Sequence, residues 1–224
     1  LAIYTTDINP ARANQATLFA LKSLYAGTAP LAAYQKASSI RSPHIDDIRN
    51  DFARTAHNIL PTYNNAGRAD EAKQILTTAY GELEKNRARH TRDIRVHIQQ
   101  AQLGQLSATL WRDAALLIAA EASLTEALTY SPKRQMLYYL LGSTKLILGK
   151  TEEGIALFRK SIADDPKVGE GWWRLASIYV QLGNQVEAER LVREARAAGA
   201  LFNDEGLAVI NKILPPVSNT PSGT

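Results

Sequence analysis

Two stretches of this chain are copies of one pattern, set 34 residues apart. Residues 138–166 read YYLLGSTKLILGKTEEGIALFRKSIADDP, and residues 172–200 read WWRLASIYVQLGNQVEAERLVREARAAGA. Superposed, Tyr138 falls on Trp172, Leu141 on Leu175, Gly142 on Ala176 and Gly149 on Gly183. Gly154 then meets Ala188, Phe158 meets Val192 and Ser161 meets Ala195. A fixed period with large, small, aromatic and small residues in this order marks a helix–turn–helix unit. One such unit cannot bury its apolar face alone, so it must stack on its neighbours.

Within each copy the physical roles follow from helical spacing. Trp172 and Leu175, with Tyr179 a turn later, share one face of a first helix. Gly142 and Ala176 stand where two helices approach closely. Gly149 and Gly183 end the first helix, where positive φ is cheap only for glycine. Ala188, Val192 and Ala195 form the facing stripe of the second helix, and Pro166 stops the earlier unit.

This pattern resembles the tetratricopeptide repeat. The resemblance implies an all-α, right-handed superhelix of about five helix pairs with a C-terminal capping helix. It implies no catalysis, and it implies that non-core positions of the first helices line a concave face that contacts protein or peptide. Those positions are Tyr139, Ser143 and Leu146 in one unit and Trp173, Arg174, Ser177 and Gln181 in the next. Trp173 points about 100° away from Trp172; it either faces a partner or packs on the preceding repeat or the C-terminal helix. The family's clamp for peptide C-termini needs Lys and Asn, and Tyr139, Ser143, Trp173 and Ser177 do not supply it.

The remaining chain follows the same phase less clearly, so 1–214 reads as a single solenoid. Repeats 10–43, 44–86 and 91–132 are degenerate, 135–168 and 169–200 are well matched, and 203–214 is the capping helix. Leu1 to Asn9 reads as extended or frayed. Asn9-Pro10 is a helix start, and Leu18, Leu21, Leu24 and Tyr25 are expected to share the buried face of that helix. In the second repeat Ile45, Ile48, Phe52, Ala56, Ile59, Leu60 and Tyr63 form a stripe, with a kink expected at Pro61. Gly67 then leads Ala72, Leu76 and Ala79 at the distances that separate Gly183 from Ala188, Val192 and Ala195. Register is lost from Glu84 to Asp93, which reads as a basic connection. Residues 215–224 (PPVSNTPSGT) have the composition of a disordered tail.

Chemistry is sparse. The 224 residues include no cysteine, which excludes disulfides and thiolate chemistry, and the net charge of +4 is weak ground for nucleic acid. Aromatic residues are not interleaved with basic ones, as base stacking requires. His44, His57, His90 and His97 lack a metal-ligand spacing, even with Glu84 and Asp93 nearby. No phosphate loop or nucleophile elbow occurs, so neither cofactor nor small-molecule substrate is expected. Arg87, Arg89 and Arg92 are candidates for an anionic lipid or acidic partner, against the blander reading of a solvated surface.

A wider likeness rests on the order of the degenerate first pair, the run His44-Ile45-Asp46-Asp47-Ile48-Arg49, and Ser131-Pro132-Lys133-Arg134-Gln135 before a good repeat. It is similar to the repeat tail that follows the membrane helices of bacterial O-antigen ligase/polymerase-like proteins. That likeness implies a soluble domain tethered through upstream residues, organising a glycan-handling machine. The alternative is a lid on the parent membrane domain, or on glycan or anionic lipid. No stretch of 18 apolar residues occurs in the chain itself.

Overall fold

The structure, a computed structural model, describes residues 8–216. Among these are eleven helices: α1 (Asn9–Ala26), α2 (Pro30–Ser39), α3 (Ile45–Asn65), α4 (Ala69–Arg89), α5 (Ile94–Trp111), α6 (Ala115–Tyr130), α7 (Gln135–Ile147), α8 (Thr151–Asp164), α9 (Gly169–Gln181), α10 (Gln185–Ala197) and α11 (Asp204–Ile213). No strand forms among the described residues beyond one parallel bridge between Val168 and Leu201. The start of the segment read as extended, residues 1–7, and most of the tail, residues 217–224, lie outside the described residues.

The helices pair as antiparallel hairpins and divide into two compact units, with the boundary between Pro132 and Lys133. In the first unit α1/α2, α3/α4 and α5/α6 are the hairpins, and α3 and α5 carry the contacts from one hairpin to the next. Its core includes Leu24, Tyr34, Phe52, Leu60, Ile75, Leu83 and Leu103. Tyr34 and Phe52 stack with ring centroids 3.8 Å apart.

A polar seam joins α3 to α4. Arg49 donates to Glu82 at 2.9 Å and to Asn86 at 3.1 Å, while Asn86 donates to the Asp46 carbonyl at 2.8 Å and to Asn50 at 3.1 Å. Burial alone would raise the Glu82 carboxyl, but the hydrogen bond and charge of Lys85, with the hydrogen bond from Arg49, hold it below its usual value.

In the second unit α7/α8 and α9/α10 are hairpins and α11 packs on α9 and α10. The turn glycines behave as the repeat requires: Gly149 has φ 77° and Gly183 φ 76°. Gly142 is a close-approach site, since a Cβ there would lie 2.7 Å from the Phe158 ring. Phe158, Leu175, Val192 and Ala195 are buried as the pattern demands. Each fully buried aliphatic or aromatic side chain of this kind contributes about 1.5–3 kcal/mol.

Several expectations are corrected. In α1 the buried face is Ala13, Thr17, Ala20 and Leu24, whereas Leu18 and Tyr25 are exposed. Small residues on the buried face let α1 approach its neighbours closely. Helix α4 does not stop near Glu84 but runs to Arg89, because the polar residues Glu82 and Asn86 face inward and pair with Arg49. Helix α3 keeps Pro61, where a kink is expected, inside its Ile45–Asn65 span. In α11 the buried residues are Gly206 and Ile210.

Candidate functional site

The repeat period places the expected contact residues on two helices of the second unit. Helix α7 carries Tyr139, Ser143 and Leu146; α9 carries Trp173, Arg174, Ser177 and Gln181. Spacings of three, four and seven residues keep each set on one helix face. Six of them line one hollow of about 270 Å³: Ser143, Leu146, Trp173, Arg174, Ser177 and Gln181. Ile147, Phe158 and Ile178 complete its apolar wall.

Tyr139 does not line this hollow. It is buried, donates its hydroxyl to Gln135 Oε1 at 2.8 Å, and stacks on Phe158 at 6.2 Å. Burial, then the nearby Glu170 charge, pushes its hydroxyl up to about 12. Tyr139 therefore belongs to the core rather than to a contact surface.

Trp173 is also a core residue, 6% exposed, with only an edge at the hollow. Its Cδ1–Nε1 edge faces Gly206 of α11, where a Cβ would sit 2.6 Å from Cδ1. The indole N–H is buried without a hydrogen-bond partner. The C-terminal helix is thus what covers Trp173, and an exposed tryptophan anchor is excluded.

The polar groups of the hollow are mostly neutral. Arg174 donates twice to Glu170, at 2.9 and 2.6 Å, and its guanidinium stacks 4.5 Å from the Trp173 ring. Its charge is largely spent within the fold. Ser177 donates to the Trp173 carbonyl at 2.9 Å. Ser143 and Gln181 have no side-chain partner among the described residues, so both are available to a ligand backbone.

A second hollow of about 350 Å³ shares Ser177 and Gln181 and extends the first between α9 and α11. Val180, Gln185, Val209, Lys212 and Ile213 line it. The sequence does not point to these residues, because α11 stands outside the repeat and reads only as a cover. Val180 and Ile147 do carry a signal, namely aliphatic residues left exposed at the ends of first helices.

The arginine cluster is tied into the fold. Arg87 pairs with Glu126 at 2.8 Å, Arg89 with Asp46 at 2.9 Å, and Arg92 lies 5.8 Å over the Tyr130 ring. Lys85 and Arg95 likewise pair with Glu82 and Asp93. These contacts lie within the first unit.

The histidines do not converge. His44 lies near Asp47, His57 beside Asn58 and His90 against Asp46. His97 is fully buried, with Nδ1 2.7 Å from Ser123 Oγ and Nε2 2.8 Å from the Thr91 carbonyl. Since that carbonyl only accepts, Nε2 carries a proton. Gln100 extends the chain of hydrogen bonds from Ser123 to Glu84. Among the described residues no group of three His, Asp or Glu could hold a metal, and no helix is long and apolar enough to cross a membrane.

Comparison with known proteins agrees with this architecture. Residues 137–167 match the family described as Tetratricopeptide repeat. No curated protein matches the chain. Among solved structures it is similar to TTC0263, a thermophilic TPR protein of Thermus thermophilus, at 17% identity over 90% of this chain and 98% of that one, with TM-score 0.58. It is also similar to PilW, a widely conserved type IV pilus biogenesis factor, at 16% identity over 90% and 86%, with TM-score 0.51. Pseudomonas aeruginosa pilF is similar at 17% identity over 92% and 85%, with TM-score 0.50. Identities this low establish the fold, an all-α array of tetratricopeptide-type hairpins, and nothing of the role.

Proposed function

We propose that the chain is a non-catalytic adaptor whose second unit holds a segment of a partner protein in the groove formed by α7, α9 and α11. The observation that carries this reading is the pair of adjoining hollows that share Ser177 and Gln181. They offer aliphatic walls from Leu146, Ile147, Ile178, Val180, Val209 and Ile213, with neutral hydrogen-bonding groups between them. Such a surface suits a segment with alternating or helical apolar anchors, whose backbone is met by Ser143 and Gln181. The Arg174–Glu170 pair adds little net charge, so a strongly acidic or basic segment gains nothing there.

We further propose, on the order of its sequence motifs, that this adaptor serves a membrane glycan ligase/polymerase-like protein. Any membrane anchor is then supplied by residues other than the described helices.

The test is a peptide display selection on the full chain, repeated with Ser177→Arg/Gln181→Arg. Both positions lie at the hollows and outside the core, so folding by circular dichroism should be retained. Enriched peptides should carry spaced apolar anchors and lose binding to the double variant. Peptides that bind wild type and variant equally would place recognition elsewhere, and the groove assignment would fall.

A further inference from the structure

An open cleft in the first unit, of about 420 Å³, is lined by α4, the end of α5 and the start of α6. It shares no residue with the groove, and no part of the adaptor reading uses it. Its first notable feature is Gly81, in the interior of α4. A helix-interior glycine is costly against alanine. Here neither reason for glycine applies: φ is not positive, and a Cβ would meet nothing within 4 Å. Fourteen residues after their own turn glycines, the hairpins of the second unit carry Ala163 and Ala197 at the equivalent place. What the missing side chain does at Gly81 is widen the cleft.

The polar groups around it are unspent. Lys73 lies 5.8 Å over the Trp111 ring and pairs with no carboxylate among the described residues. The hydroxyls of Thr77, Tyr80 and Ser107 also line the cleft and have no hydrogen-bond partner among the described residues. Burial, then the charge of Glu84, pushes the Tyr80 hydroxyl up to about 12, so it stays protonated and can donate. The one carboxylate at the rim, Asp113, already accepts from the Ala115 N–H at 3.0 Å. The Trp111 indole N–H is held by Asn64 at 2.8 Å, which fixes that ring in the cleft wall.

We propose that this cleft binds a small aromatic acid, its ring against Trp111 and its anionic group met by Lys73 and the free hydroxyls. An unpaired ammonium and three idle hydroxyls favour an anion. The indole ring, with the apolar side chains Leu76 and Leu116 also in the wall, favours a flat ring.

The test follows the indole N–H signal of Trp111 by ¹H–¹⁵N correlation spectroscopy on the full chain. The probes are 4-hydroxybenzoate and its uncharged analogue 4-hydroxybenzamide, and the signal is assigned by Trp111→Phe. The acid should shift the signal saturably in the millimolar range or below, and the amide should bind about tenfold more weakly. Lys73→Gln should erase that preference while leaving the fold intact. Gly81→Leu should fill the cleft and abolish the shift without lowering the melting temperature. A Trp111 signal that neither probe moves, equal binding of acid and amide, or a shift that survives Gly81→Leu would each overturn the assignment.

Discussion

Trp173 offers a quantitative check on how α11 is seated. A buried aromatic side chain removes about 150–250 Å² from water, worth about 4–6 kcal/mol at about 25 cal/mol per Å². Against this stands the indole N–H, buried without a partner, a loss of about 1–3 kcal/mol. Trp173→Ala deletes both terms, so it should destabilise the second unit by about 3 kcal/mol. Trp173→Phe should behave quite differently. It gives up about 1–2 kcal/mol of burial and recovers a similar amount by removing the orphan donor. It should therefore lie within about 1 kcal/mol of wild type. Urea denaturation followed by circular dichroism reads both through the midpoint at constant slope. If Phe proves as costly as Ala, the indole nitrogen has a partner and the contact with Gly206 is not what holds the helix.

Two further outcomes follow from the first unit. Ser123→Ala removes the partner of the buried His97 Nδ1 and should cost about 1–3 kcal/mol in urea denaturation; Thr125→Ala, on the exposed face of the same helix, should change stability by less than about 0.5 kcal/mol. Equal effects of the two would show that the His97 network carries no stability. Glu82 is held below its ordinary carboxylate value of 4.5, so its contribution is full above that pH and is lost as pH falls through the lower, folded-state value. Glu82→Gln should cost about 2 kcal/mol near neutrality and flatten the acid limb of the stability–pH curve; an unchanged acid limb would mean that the seam does not titrate with the fold.

How far the residues announce this molecule depends on what each helix packs with. Where apolar side chains meet glycine or alanine, as around Gly142, Phe158 and Leu175, spacing alone fixes turn, face and pairing. Where the contact is polar, the same reasoning fails: Asn86 falls in the stretch that reads as a basic connection, yet with Glu82 it lies on the inner face of α4. Alanine-rich α1 misleads in the opposite way, because its largest residues point outward. At the groove the α7 and α9 side is legible from the period, since Ser143, Ser177 and Gln181 fall where helical geometry sends them. Trp173 is ambiguous in the sequence because its cover, α11, obeys no repeat and is seated through a glycine that no hydropathy pattern marks.

The bonds of Arg49 to Glu82 and Asn86, one helical turn apart on α4, have a bearing on how such an array assembles. Hairpins built on one template are interchangeable wherever their contacts are merely greasy, and a newly made helix can then zip onto the wrong sibling or slip by a turn. A guanidinium with two particular acceptors on α4 rewards the correct pairing and leaves those bonds unmade in a wrong one. The α3/α4 hairpin is in this sense keyed.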